Sequence, residues 1–249
     1  MDIYFLGTGT AVPAKQHAPS GLLVRAADKC LLLDIGPGTL ARLELSGTTY
    51  DQLTGLLLTH LHPDHSLDLA TLLQVFNYAP GAERREPFSI TACRGTEEFL
   101  QRLFALYPEL TPEGFELQVR QVYREQFYLG ELKIQSAPTG HTPQSVAYRL
   151  NDSAHALVYS GDATRQGELT ELAREADLLI CECSFPAGWD TPDHLNAEDV
   201  GFIAAQAGVK SLVMTHFYPQ ALKSDLVGQV RKHYQGNVQL AVDGMHLVL

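Results

Sequence analysis

The sequence predicts an α/β fold in which two β-sheets pack face to face and helices cover their outer sides. Three observations lead there. Short apolar runs alternate with helix-period segments along most of the chain. Several of those runs follow one another across short turns, as antiparallel strands do, while others are flanked by helical segments, as in βα units. No low-complexity or linker-like stretch divides the chain, so its 249 residues read as one domain spanning 1–249. Periodicity alone also permits a doubly wound sheet, and the motifs below decide between the two.

Met1–Leu6 is an apolar run entering a turn at Gly7-Thr8-Gly9-Thr10 and reads as the first strand. Leu22–Val24 and Leu31–Ile35 flank an Asp28-Lys29 turn and read as paired strands. Gly55–Thr59 is a short buried strand, followed by the helical spacing Leu69, Leu72, Leu73, Phe76. Glu97–Leu106 is expected to be a helix with Phe99, Leu100, Leu103 and Phe104 on one face. Leu117–Val122 and Phe127–Ile134 suggest antiparallel strands; Ala156–Ser160, Leu178–Cys183 and Ser211–Thr215 suggest further strands beside helical segments. The tail, Val238–Val242 and Met245–Leu249, reads as a hairpin turned at Asp243-Gly244.

Composition narrows the setting. No run approaches the roughly 18 apolar residues that a membrane-spanning helix needs, and the first residues lack the basic start of a secretory signal. The four cysteines form no CxxC pair, and Cys181 and Cys183 lie in an apolar run that suits buried thiols. A cytoplasmic setting and no membrane partner are expected. The net charge of −11 argues against extensive binding to nucleic acid, whose affinity rests on Lys and Arg displacing counterions. It does not forbid a phosphate ester bound at a metal, because the metal's own charge dominates locally.

Thr59-His60-Leu61-His62-Pro63-Asp64-His65 carries the strongest signal: three histidines and an aspartate within six positions, directly after a strand. A tight turn there can aim His60 and His62 one way and Asp64 and His65 another, supplying ligands to two metals from one loop. Imidazole and carboxylate together suit zinc, with manganese or iron also compatible.

This His-x-His-x-Asp-His pattern resembles the signature of the metallo-β-lactamase superfamily, and the likeness runs from Gly7-Thr8-Gly9-Thr10 to Thr215-His216. His141 in Thr139-Gly140-His141-Thr142 is similar to the third histidine of the family's first metal site. Asp162 in Ser160-Gly161-Asp162 resembles its bridging carboxylate, and His216 the last ligand of its second site. The resemblance implies the family's four-layer αββα sandwich, two mixed sheets flanked by helices, and a binuclear metal-dependent hydrolase acting through a hydroxide held between two divalent ions, with Asp64 placed to orient it. The chain is most similar to the ribonuclease Z-like and phosphodiesterase branch. Cys181-Glu182-Cys183-Ser184-Phe185 stands where that branch carries His-Glu-Ala-Thr, and His194-Leu195-Asn196 where it carries His-Ser-Thr. That likeness implies a catalytic, non-ligand role for His194 as proton donor or charge stabiliser, with Glu182 orienting it, and a homodimer. Asn196 is a natural cap for the helix that follows. His155, His233 and His246 have no motif around them and read as surface or packing residues, while His17 could border the pocket.

Ligands do not choose the substrate. The same set serves phosphodiester, thioester and lactone hydrolases, and a metal-binding protein without catalysis is the reading from another class; such a protein would not need His194. The ribonuclease Z-like features favour a phosphodiester. tRNA 3′-end processing in that branch usually depends on an arm inserted between the third histidine and the bridging aspartate, but His141 and Asp162 are only 21 residues apart. Between His65 and His141, Arg84, Arg85, Arg94 and Arg102 are matched by Glu83, Glu86, Glu97 and Glu98, so no basic clamp is expected. A small phosphodiester or related ester is the expected substrate, with ribonuclease Z activity the alternative, then a thioester or lactone hydrolase.

Overall fold

In the computed structural model, which describes residues 1–80 and 84–249, the chain builds two seven-stranded mixed sheets, one from its first half completed by the last strand and the other from its second half. Glu83 lies outside the described residues. The first half contributes β1 (Asp2–Gly7), β2 (Gly21–Ala26), β3 (Lys29–Leu33), β4 (Gly55–Leu58), β5 (Phe88–Cys93) and β6 (Leu117–Val122). The second contributes β7 (Gln126–Leu129), β8 (Leu132–Pro138), β9 (Val146–Asn151), β10 (Ala156–Tyr159), β11 (Leu178–Glu182), β12 (Ser211–Thr215) and β13 (Asn237–Leu240). The last strand, β14 (His246–Val248), returns to the first sheet beside β1. Within each sheet the pairs run antiparallel on one side (β1–β2–β3; β7–β8–β9–β10) and parallel on the other (β3–β4–β5–β6; β10–β11–β12–β13).

The central strands are buried on both faces, which is why they read as continuous apolar runs. Alternate residues divide between layers. Leu31, Leu33, Leu57, Leu157, Tyr159 and Ile180 fill the space between the sheets. Leu32, Leu56 and Leu58 face outward onto a helix layer formed with Leu69, Leu72 and Phe76, and Val158, Leu179 and Met214 face the opposite layer with Val200 and Ala204. The helices are α1 (Thr39–Leu43), α2 (Pro63–Ser66), α3 (Asp68–Tyr78) and α4 (Thr96–Leu106) in the first half and α5 (Leu169–Leu172), α6 (Ala197–Ala207) and α7 (Leu226–Val230) in the second. Helix, sheet, sheet, helix is the four-layer order expected. Tyr148, fully buried between the sheets, donates its hydroxyl to the Leu58 and Thr91 carbonyls and ties the layers together. Among the described residues no helix is long and apolar enough to cross a membrane.

Two expectations are corrected. Phe127–Ile134 is not one strand paired with Leu117–Val122. It folds back at Gly130, whose left-handed φ of 59° makes the turn, into β7 and β8, while β6 joins the first sheet parallel to β5. The tail is not a hairpin either: β13 adds to the second sheet and β14 to the first. The Asp243-Gly244 turn is captured by the first sheet instead. Asp243 accepts from the Thr8 amide (3.0 Å), the Thr8 hydroxyl (2.7 Å) and the Ala18 amide (2.8 Å), and the Gly244 amide donates to the Phe5 carbonyl.

Candidate metal centre

Strands β10, β11 and β12 are parallel, so their carboxyl ends open on one edge, where Asp162, Glu182 and His216 emerge. β8 runs the same way as β10, both being antiparallel to β9, and delivers His141 to that edge. β4 brings the histidine loop from the other sheet, joined there by the Val146 amide donating to the Thr59 carbonyl (2.9 Å). Gly161 is required at this seam. It adopts a φ of 54°, and a Cβ on it would lie 2.6 Å from the Thr59 side chain.

The seven residues expected as ligands converge. His60, His62, His141 and Asp162 form one group and Asp64, His65 and His216 another, with the potential ligand atoms of each within 4.8 Å of one another. Asp162 stands between them. Its Oδ2 lies 3.7 Å from His60 Nε2 and 3.6 Å from His141 Nε2, and its Oδ1 lies 3.2 Å from both His65 Nε2 and His216 Nε2. His62 Nδ1 is 3.1 Å from His141 Nε2, and His65 Nε2 is 3.3 Å from His216 Nε2. Two donors about 2.0–2.1 Å from a tetrahedral zinc sit about 3.3 Å apart, so these spacings suit a shared cation better than imidazoles competing for protons. Two of the three buried side-chain polar atoms without a hydrogen bond among the described residues are His60 Nε2 and Asp162 Oδ1, one in each half of the cluster. Buried polar atoms ordinarily find partners, and a cation is the partner both orphans fit.

The far side of nearly every ring is fixed. His65 Nδ1 donates to Asp34 (2.8 Å), His60 Nδ1 to the Thr59 hydroxyl (3.0 Å), His141 Nδ1 to the Asp193 carbonyl (2.6 Å) and His216 Nδ1 to Ser184 Oγ (3.0 Å). Each bond selects the tautomer whose Nε2 lone pair faces the cluster. Asp34 and His216 both hold left-handed backbone, φ 57° and 59°, a strain that collects at functional sites. Burial strips His60 of its proton, with His65 adding to the effect, so it is neutral as a ligand must be. Burial opposes charge on Asp64 and Asp162 too, but the surrounding histidines prevail and hold both carboxylates well below their usual range.

His194 stands at the rim, its ring centroid 4.8 Å from His141 and 5.5 Å from His216. Its Nδ1 is 3.2 Å from both oxygens of Glu182. Glu182 is fully buried and also accepts from the Ala163 amide (2.6 Å) and the Ser184 hydroxyl (2.5 Å). Burial alone would lower the pKa of His194, but the Glu182 charge and hydrogen bond, helped by Asp162, raise it to about 9. Asp162, His194 and His216 form a third possible cation grouping. With Nδ1 given to Glu182, Nε2 is the ring nitrogen of His194 left for contact with substrate. Asn196 caps α6 as expected, accepting from the Glu198 and Asp199 amides.

The Metallo-beta-lactamase superfamily model matches residues 16–201. The chain belongs to that superfamily. It is 34% identical to the uncharacterized protein ML1173 of Mycobacterium leprae, over 97% of this chain and 86% of that one. It is 28% identical to the probable metallo-hydrolase YhfI of Bacillus subtilis, over 98% of both chains. The crystal structure of YhfI superposes with a TM-score of 0.86 at 26% identity, covering 99% of this chain and 98% of that one. Ribonuclease Z of the archaeon Methanosarcina mazei is 28% identical over 99% of this chain and 97% of its own. That alignment spans 307 positions, so at least 58 of them have no residue in this 249-residue chain.

Sequence reasoning missed Asp34, Ser184 and the Asp193 carbonyl, which orient the rings. Asp34 did leave a trace, a lone acid inside the apolar run Leu31–Ile35, because a fully buried carboxylate must have strong partners. His17 donates to or accepts from the Thr8 hydroxyl (2.7 Å) and packs edge-on against Phe217, outside the cation groupings. His155, His233 and His246 lie away from the cluster, beside Asp152, Phe202 and Tyr4.

Proposed function

We propose that this chain hydrolyses a small phosphodiester with two divalent cations, zinc on the chemistry of the donors, held by His60, His62, His141 and Asp162 on one side and Asp64, His65, His216 and Asp162 on the other. The observation that carries the reading is the placement of Asp162, whose two oxygens each face a separate set of imidazole nitrogens. A cation pair in such a setting lowers the pKa of water into the neutral range and stabilises charge on the phosphoryl oxygens. The remaining work falls to side chains. Asp64, whose Oδ2 accepts from the Ala11 amide (3.0 Å), is fixed with its charge beside the second nitrogen set and orients the attacking water. His194 holds a proton at neutral pH because Glu182 keeps it there, and its Nε2 delivers that proton to the departing oxygen. Glu182, bound by the Ala163 amide and Ser184, acts as the positioning residue.

The likeness to a ribonuclease Z supports phosphodiester chemistry and also keeps tRNA 3′ cleavage as the second reading. Against that reading stand the 58 alignment positions without a residue here and the charge of −11, while the YhfI alignment is only 249 positions long. The test is a panel on zinc- or manganese-loaded protein: bis(p-nitrophenyl) phosphate, cyclic nucleotides, a thioester, a lactone and a tRNA precursor. The reading expects turnover of the small phosphodiesters well above the thioester and lactone. Preference for the thioester or lactone, or efficient site-specific cleavage of the precursor, overturns it.

A further inference from the structure

Beside His194 three aromatic rings lie in a continuous stack. Tyr218 and Phe185 are 4.8 Å apart at 17°, and Phe185 and Trp189 are 5.1 Å apart at 5°. The inner end meets the candidate metal centre: Tyr218 is 5.7 Å from His194 and 6.2 Å from His216, and Phe185 is 6.2 Å from His194. The outer end is Trp189, 43% exposed. None of the three belongs to the hydrophobic layers that hold the sheets and helices together, so core packing does not explain them.

The stack is also built to keep its shape. Phe185 bridges to Asn196, and the Ala197 amide donates to the Phe185 carbonyl (3.0 Å), which closes the loop between them. At the tip of that loop the Trp189 amide donates to the Pro186 carbonyl (3.2 Å), and the Trp189 carbonyl accepts from Asn196 Nδ2 (3.2 Å). Gln229 accepts from the Ala187 amide (2.7 Å) and pins the loop to the body. An indole that is 43% exposed, held at both backbone ends and seated on Phe185, leaves ring surface on which a planar ring can stack at little cost in conformational entropy.

We infer that Trp189, seated on Phe185 and Tyr218, is the platform on which the nucleobase of a mononucleotide ester stacks while its phosphate lies at the cation cluster. The inference rests on the phosphodiesterase reading and names its substrate class. Stacking on an aromatic face accepts any base, so the platform selects for a base over none rather than among bases. The same loop carries Asp190 and Asp193, both exposed, whose charge opposes the further phosphates of a polynucleotide.

Trp189 is the only tryptophan in the chain, so intrinsic fluorescence reports this position without interference from another indole. Zinc-loaded protein is titrated with AMP and with ribose 5-phosphate, which shares the sugar and phosphate but lacks the base, and turnover of ethyl p-nitrophenyl phosphate is measured in parallel. AMP is expected to quench the fluorescence saturably and ribose 5-phosphate to leave it unchanged. By calorimetry, Trp189→Ala should weaken AMP about 5- to 150-fold, the span of a stacking contact of about 1–3 kcal/mol. Trp189→Phe should restore most of the loss, and ribose 5-phosphate should bind every variant alike. Equal affinity of the wild type for AMP and ribose 5-phosphate, or an equal loss of both in Trp189→Ala, overturns the inference. If the ethyl ester is hydrolysed while AMP leaves Trp189 unquenched, the platform falls and the phosphodiesterase reading stands; if AMP quenches and no phosphodiester is hydrolysed, base binding stands and the chemistry falls.

Discussion

Replacing Asp34 by Asn changes one atom and tests how the second half of the cluster is tuned. The buried Asp34 carboxylate accepts from the Thr59 amide (2.8 Å), the Thr59 hydroxyl (2.9 and 3.0 Å), the Tyr159 hydroxyl (2.8 Å) and His65 Nδ1 (2.8 Å). The Thr59 amide can only donate, so the new side chain must keep its carbonyl oxygen there. The reverse orientation sets two N–H groups against each other at 2.8 Å. The amide nitrogen then faces His65 Nδ1 and Tyr159. Hydroxyls can rotate, but the imidazole has to move its proton from Nδ1 to Nε2, the atom 3.2 Å from Asp162 Oδ1 that would bind a cation. Loss of such an orienting partner typically costs 10- to 100-fold in metal affinity, about 1.4–2.7 kcal/mol. Chelator competition should therefore show one zinc leaving Asp34→Asn at that much lower chelator while the other is unchanged. Two zinc ions retained with wild-type affinity, or an equal loss of both, refutes the reasoning.

Further outcomes concern His194, Glu182 and the net charge. His194→Ala should keep its metal and its melting temperature yet lose about 10²–10⁴-fold in turnover, less for a p-nitrophenolate leaving group than for an alkoxide; equal losses with a destabilised fold would make the residue structural. The raised pKa of His194 means that its acidic form predominates at neutral pH and is lost as pH rises, and bound cations lower that pKa, so kcat/KM should decline with a limb at or below about 9. Glu182→Gln removes the charge that holds the proton and should move the limb to lower pH; an unmoved limb assigns it to another group. Binding of precursor tRNA should be weak and vanish at moderate salt, given the charge of −11, and a gel-shift titration across salt checks it.

What the sequence made legible was what lies close together along it. The loop His60–His65 supplies four of the seven converging side chains within one turn, and the apolar runs at its borders are the strands that aim it. His141, Asp162 and His216 were found by resemblance, and the fold explains why such scattered residues meet: each follows a strand whose carboxyl end opens on one edge. Long-range partners were harder to read. Asp243-Gly244 carries a strong local hairpin signal, yet Thr8 and Ala18, more than 220 residues earlier, capture the aspartate and send its flanking strands into different sheets. The Phe127–Ile134 run conceals a turn because Gly130 sits among strand-forming neighbours. Asp34, Ser184 and the Asp193 carbonyl act on histidines distant in sequence, and Phe185, Trp189 and Tyr218 form a stack only once β11, its following loop and β12 are side by side.

The central claim is a pair of cations sharing Asp162, and native mass spectrometry of the zinc-reconstituted chain tests it most directly. The account predicts two zinc ions per chain in the wild type and loss at both positions in Asp162→Ala, whereas His216→Ala should weaken mainly one. A wild type that saturates at one ion or fewer, or an Asp162→Ala variant that keeps two, would contradict it.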